Sequence, residues 1–248
     1  MKNSKVGVVI ALLIKWSGIA VTDGRNKVGG TVLSKSRAGA TARNKVTPIN
    51  RRSTAQQAVR SFFSHFSQQF RTLGAATISA WNEFAKGNIT LTNIFGDTFT
   101  LVGNTAFIRL NMNLSSAGAA NILTPPSVDL QPDGVSSVSA DGDVSATELY
   151  LTTSFITAGG NIVPTDNALL VYATPKLSKG QTYVKSQLRL LRVMDAATNT
   201  STENILNDYT AKYGAPSVDD NIHFAVQLVQ TQSGFSSTPF NAVARIVA

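Results

Sequence analysis

The chain contains no cysteine, which excludes disulfides, thiolate nucleophiles and thiolate metal ligation. Histidine is almost as scarce: His65 and His223 stand far apart, too few for a histidine-rich metal site. Only 15% of the 248 residues are charged, and no apolar run reaches the roughly 18–20 residues of a bilayer-crossing helix. Acids are nearly missing from one part of the chain. Residues 1–72 hold 13 Lys and Arg against a single acid, Asp23, a balance of +12; residues 73–248 hold nine against 13, a balance of −4. What remains is ample apolar material, 43% of the chain, enough for one large domain or two small ones. The sequence therefore reads as a soluble, non-redox, non-catalytic body carrying a basic leader. Such asymmetry points the leader at an acidic partner, either a protein surface or nucleic acid.

The longest apolar run, Val6 to Ile14, lies behind Lys2 and Lys5 like the front half of a secretory signal. Lys15 and Trp16 follow at once and no small-x-small cleavage site is evident, so a buried strand or a segment docked on a neighbouring subunit fits better. Residues 22–52 then interleave Gly, Ser, Thr and Asn with Arg25, Lys27, Lys35, Arg37, Arg43, Lys45, Arg51 and Arg52. So few apolar side chains cannot pack a core, which predicts an extended arm ordered only on a partner. Pro48 biases Thr47 toward extended backbone. Arg37, Arg43, Lys45, Arg51 and Arg52 are the candidate contacts to acidic subunits, and Gly29, Gly30 and Gly39 the candidate points of close backbone approach. The arm has no aromatic residue for stacking on bases, so any contact with nucleic acid would be independent of base sequence.

Ser53 and Gln56 have capping-box spacing, and Val59, Phe62, Phe63, Phe66, Phe70 and Leu73 recur at helical intervals before Gly74. Packing is the expected role of that stripe. A second helix spans about 75–86 with Ile78, Trp81 and Phe84. It lacks the Arg, Asn and Gln cluster that a DNA-reading helix presents to base edges. A hairpin follows, 89–95 with 98–102, turning at Gly96-Asp97, and a third helix at about 104–116 stops at Gly118. Pro125-Pro126 marks a boundary. Beyond it, strands are expected at 135–140, 146–157, 168–174, 183–194, 222–230 and 241–247, with a helical insert at 202–213. The fold expected is α+β: an N-terminal segment and extended basic arm (1–52), a helical region with a β-hairpin (53–124) and an immunoglobulin-like β-sandwich (127–248).

Motifs for chemistry are incomplete. Gly24 to Thr31 has the outer glycines of a phosphate loop, but Gly30 stands where the lysine must be. Ser64 and His65 are neighbours on a helix and point apart. Asp141-Gly142-Asp143 opens like a calcium loop without the closing glutamate, and Asp219-Asp220 reads as turn chemistry. No catalytic, cofactor or metal residue is assigned.

The run GGTVLSKSRAGATARNKVTPINRRSTAQQAVR, the Phe-rich helix, then AWNEFA and NTAFIRLNMNLSSAG resemble a structural protein of tailed bacteriophages of the crAss-like type. The resemblance covers about residues 22–120, with a looser match at LLVYATPKLSKG and the closing strands; its most specific part runs from Ala42 to Asn50. It implies a non-enzymatic virion component present in many copies, without cofactor, whose partners are the major capsid protein, other virion subunits or further copies of itself. An auxiliary capsid (decoration or cement) protein is the leading expectation. A neck, collar or tail component is the alternative within the virion, and a secreted carbohydrate-binding or adhesive module the alternative from another class.

Overall fold

The computed structural model describes residues 13–15, 26–36, 39–47, 50, 52–93, 95–126, 134–143, 148–156, 167–181, 184–195 and 202–247. The class is α+β: among the described residues there are four α-helices, a large curled sheet, a small N-terminal sheet and one separate hairpin.

The expected arm is where sequence and structure differ first. Its residues form β2 (Asn26–Val28), β3 (Thr31–Ser36) and β4 (Gly39–Asn44), joined by β1 (Leu13–Lys15) in an antiparallel sheet of order β1-β4-β3-β2. Backbone pairing supplies the order that a core would otherwise supply, and it needs no apolar side chains. The described part of the phosphate-loop look-alike, 26–31, is β2 and the β2–β3 turn. Val28 pairs with Thr31, leaving a two-residue Gly29-Gly30 loop with Gly29 at φ +56°, the left-handed geometry a tight hairpin requires. Most of the apolar run 6–14 lies outside the described residues; Leu13 and Ile14 belong to β1.

Helix α1 (Thr54–Thr72) begins behind Ser53, whose Oγ accepts the Gln56 backbone N–H at 3.3 Å. Only this half of the expected capping box is made, because Gln56 Oε1 has no hydrogen-bond partner. Helices α2 (Ala75–Asn88) and α3 (Gly103–Ala117) complete a three-helix unit, and the hairpin β5 (Thr90–Thr92) and β6 (Thr98–Thr100) links them. Gly118 stops α3 in the left-handed conformation as its position predicts. The core of this unit is aromatic. Trp81 and Phe107 are fully buried and meet edge to face at 5.3 Å, and Phe66, Phe70 and Phe84 close around them. Trp81 Nε1 donates to the Leu123 carbonyl at 2.8 Å, while buried Asn111 holds Ile122 through both its amide groups. These bonds pin the chain leaving α3 back onto the helices.

The C-terminal strands are β7 (Gly134–Asp143), β8 (Glu148–Ile156), β9 (Asn167–Ala173), β10 (Arg189–Asp195), β11 (Thr202–Asn204), β12 (Asn221–Gln230) and β13 (Phe240–Val247). All seven join one sheet of order β10-β9-β12-β13-β7-β8-β11 instead of two packed layers. Two wings meet at a short parallel seam, Ile246 with Gly142 and Val247 with Asp143. The sheet curls so that inward residues of both wings, Leu149, Leu151, Val171, Phe224 and Ala244 among them, share one core. Two details depart from expectation. Residues 185–187 form a 3-10 turn ahead of β10, within the strand expected at 183–194, and β7 runs on through Asp141–Asp143 beyond its expected end at 140. The helical insert is shorter than expected, since 202–204 pair as β11 and α4 spans Leu206–Tyr213.

Helix α4 caps the inner core with Tyr209, which is fully buried and whose hydroxyl makes no hydrogen bond among the described residues. Burial, then the charges of Tyr213 and Asp220, push its pKa above the usual tyrosine range. The neutral phenol is thus favoured in the folded chain. Its contribution to stability is complete below the ordinary tyrosine pKa of 10 and is lost as pH rises beyond it, because the unfolded chain ionises first. Tyr209→Phe is expected to remove that alkaline loss and to stabilise by about 0.5–1 kcal/mol at neutral pH, since an unpaired buried hydroxyl disappears. Urea titrations at pH 7 and in the alkaline range check both; a net loss of stability at neutral pH would mean the hydroxyl is satisfied.

On the outer face of the sheet, Ala168, Leu170 and Val229 receive Ala117 of α3. Residues after β12 complete the junction. Asn113 Nδ2 donates to the Gly234 carbonyl at 2.9 Å, and the Phe235 ring lies 6.1 Å from Phe84.

Candidate interaction surface

From Ala40 to Arg43 in β4, alanines alternate with polar and charged residues, and register decides which cations share a face. Lys27 and Arg43 both lie opposite Val32, so they flank it on the same face of the small sheet, whereas Lys35 lies opposite Ala40 and faces the other way. Lys27, Lys35, Arg43 and Lys45 are all exposed. The Lys45 backbone N–H donates to the Gly30 carbonyl at 2.7 Å, which extends the pairing beyond β4. Arg52 is exposed just before α1 in the left-handed region, φ +49°, and Arg60 Nη1 on α1 donates to Asn50 Oδ1 at 3.0 Å. The structure therefore brings Arg43 near Lys27, sets Lys45 next along the chain and leaves Arg52 at the head of α1. Arg37 and Arg51 lie outside the described residues. Among the described residues nothing lies within 4 Å of where a Cβ would sit on Gly29 or Gly30, so the space around them does not require glycine. Gly39 pairs with Ser36 at the β3–β4 turn.

The Phe stripe divides in a way that the sequence does not show. Phe66 and Phe70 are buried against α3, but Val59, Phe62 and Phe63 are 55%, 45% and 56% exposed. The Phe62 ring stacks on Phe66 at 6.5 Å, so the exposed aromatics continue the core outward along α1. A groove of about 590 Å³ runs along this helix between Val59, Arg60, Phe63, Ser67 and Arg71. Helix length carries the signal that could have found it: α1 has 19 residues against 14 in α2 and 15 in α3, so at about 1.5 Å per residue it overruns its neighbours by several ångströms.

A second concavity lies on the far side of the sheet. It is a cleft of about 510 Å³ walled by Leu206, Ala211, Pro216 and Ile246, with Asp143 and Glu148 at its edge. The Tyr150 hydroxyl donates to Glu148 at 3.0 Å. Elsewhere the charges tie loops down: Arg245 Nη2 donates to Asp219 at 2.6 Å, and that bond, then the guanidinium charge, holds the Asp219 pKa below the usual carboxylate range. Asp219-Asp220 is a turn as expected, with Asp219 at φ +68°.

No protein-family model matches the chain, and no curated protein matches it. His65 is exposed at the rim of the aromatic stripe, its ring 5.3 Å from Phe66, and His223 is a residue of β12 whose backbone N–H donates to Thr174 Oγ1. Among the described residues no three His, Cys, Asp or Glu side chains gather as metal ligands, and no helix is long and apolar enough to cross a membrane. What the arrangement offers is contact: exposed cations on a narrow sheet, an apolar helix face and an acid-edged cleft.

Proposed function

We propose that this chain is a non-enzymatic structural protein of a tailed-bacteriophage virion, an auxiliary capsid protein whose basic N-terminal residues bind acidic neighbouring subunits. One observation carries the reading: the positive charge of the first 72 residues is displayed at the surface, by Lys27, Lys35 and Arg43 on a small sheet with little core of its own, by Lys45 just beyond it and by Arg52 at the head of α1. The resemblance of residues 22–120 to virion proteins supports the same reading. A shell protein works by contact area, on the order of 1,200 Å² or more for a stable interface, and needs no reacting group. The curled sheet, whose wings close on one core, serves in this reading as an interaction module.

Deleting residues 22–52 is expected to abolish incorporation into purified virions while the curled sheet still folds. Charge reversal of Arg43 and Lys45 to Glu is expected to reduce incorporation several-fold. Normal incorporation of the truncated chain overturns the proposal, and a loss confined to DNA retention assigns the cations to nucleic acid instead. Copy number per particle separates a shell position from one in the neck, collar or tail.

A further inference from the structure

Residues 54–65, the first three turns of α1, are exposed throughout except for half-buried Gln56. A helix of about 12 residues is marginal in water when nothing packs on it. This one nevertheless shows Val59, Phe62 and Phe63 to solvent at i, i+3 and i+4, the spacing of anchors that a helix lays into a groove. The surroundings of these anchors are positive: α1 contains no acid, its first turn adds the positive end of the helix dipole, and Arg60 lies beside the rings. Two such helices side by side would set cation against cation, so α1 does not suit pairing with itself.

The complementary surface is on the same chain. The cleft beside α4 has apolar walls, carboxylates at its edge and about 510 Å³ of space, within the ~300–1,000 Å³ typical of sites that enclose apolar groups. It opens beside the inner core, to which Leu206, Tyr209 and Ile246 belong, whereas α3, on which α1 packs, covers the outer face at Ala168, Leu170 and Val229. Helix and cleft thus flank opposite faces of one sheet, and neither can satisfy the other within a single molecule. The geometry points to a head-to-tail contact between two copies, in which Phe62 and Phe63 of one enter the α4 cleft of the next and Arg60 faces Asp143 and Glu148. Such a contact is heterologous, so each copy keeps one free helix and one free cleft, and assembly continues until a ring or lattice closes. The contact goes beyond the role proposed for the basic sheet and uses none of residues 22–52.

Sedimentation velocity on the full chain from about 1 to 100 µM tests it, since that range covers the affinities expected of a weak lattice contact. The wild type is expected to grow past dimer with concentration. Phe62→Ser with Phe63→Ser is expected to raise the dissociation constant roughly tenfold or more, as loss of central aromatic anchors does. Ala211→Trp, which fills the cleft from the exposed side of α4, is expected to do the same, with circular dichroism confirming the fold; Thr210→Trp at the same wall replaces it should that variant misfold. The deciding sample mixes the two variants. One retains its cleft and the other its helix, so together they form a 1:1 dimer and stop. A monomeric wild type across the range, wild-type association by the double Ser variant, or a mixture that stays monomeric overturns the inference.

Discussion

Trp81→Ala is expected to cost about 3–5 kcal/mol of stability, the range for emptying the site of a large buried aromatic. Trp81 is wholly buried and meets both Phe84 and Phe107 edge to face, at 5.6 and 5.3 Å. Truncation opens a cavity between α2 and α3 and leaves the Leu123 carbonyl without its indole donor. For a chain of this size each kcal/mol corresponds to about 2–4 °C, so the melting temperature is expected to fall by roughly 10 °C. Trp81→Phe retains most of the ring contact and loses the hydrogen bond, so a drop of about a third of that size is expected from the smaller chemical change. A thermal melt followed by circular dichroism reads both. If the Ala variant melted within two or three degrees of wild type, the aromatic cluster would not be the centre of the helical unit.

Gly234→Ala is the second large effect, and its cause is backbone geometry. Gly234 has φ +75°, and a Cβ there would lie 2.4 Å from the Leu110 carbonyl oxygen of α3. Neither partner can yield easily. The loop is wound around buried Gln230, whose Oε1 accepts the Ser233 and Gln232 N–H groups at 2.6 and 2.9 Å, while the Gly234 N–H donates to the Gln230 carbonyl at 2.8 Å. Left-handed strain and a collision with helix backbone together give an expected loss of about 2–4 kcal/mol. The loss should be local, parting the loop from α3 before either unit unfolds. Limited proteolysis within 231–239 is expected to accelerate in step with the loss of stability. Asn113→Ala removes only the single bond to the Gly234 carbonyl and is expected to cost about 1 kcal/mol.

These positions also mark where the sequence was readable. Local signals were faithful: Ser53 caps α1 and Gly118 stops α3. Each depends on interactions within a few residues. Signals that need a distant partner were not legible. The composition of residues 22–52 implied a coreless arm, yet cross-strand backbone bonds and a Gly-Gly turn order 26–36 and 39–44 without a core of apolar side chains. The seam of Ile246 with Gly142 joins residues more than 100 apart, and nothing in either strand announces a parallel neighbour. For the candidate surface, charge was visible from composition, whereas the exposure of Phe62 and Phe63 was not. Periodicity shows that a stripe exists; the lengths of the neighbouring helices decide how much of it is covered.

The order of strands in the curled sheet has a consequence for synthesis. The β7–β8 and β9–β10 hairpins leave the ribosome first, but their inner edges meet only through β12 and β13, which are made last and lie between them. Until then each nascent hairpin presents an unpaired edge, a template for pairing with another chain. Closure of the sheet must follow translation of β13, and a pause before codon 240 would lengthen the interval in which those edges stand open.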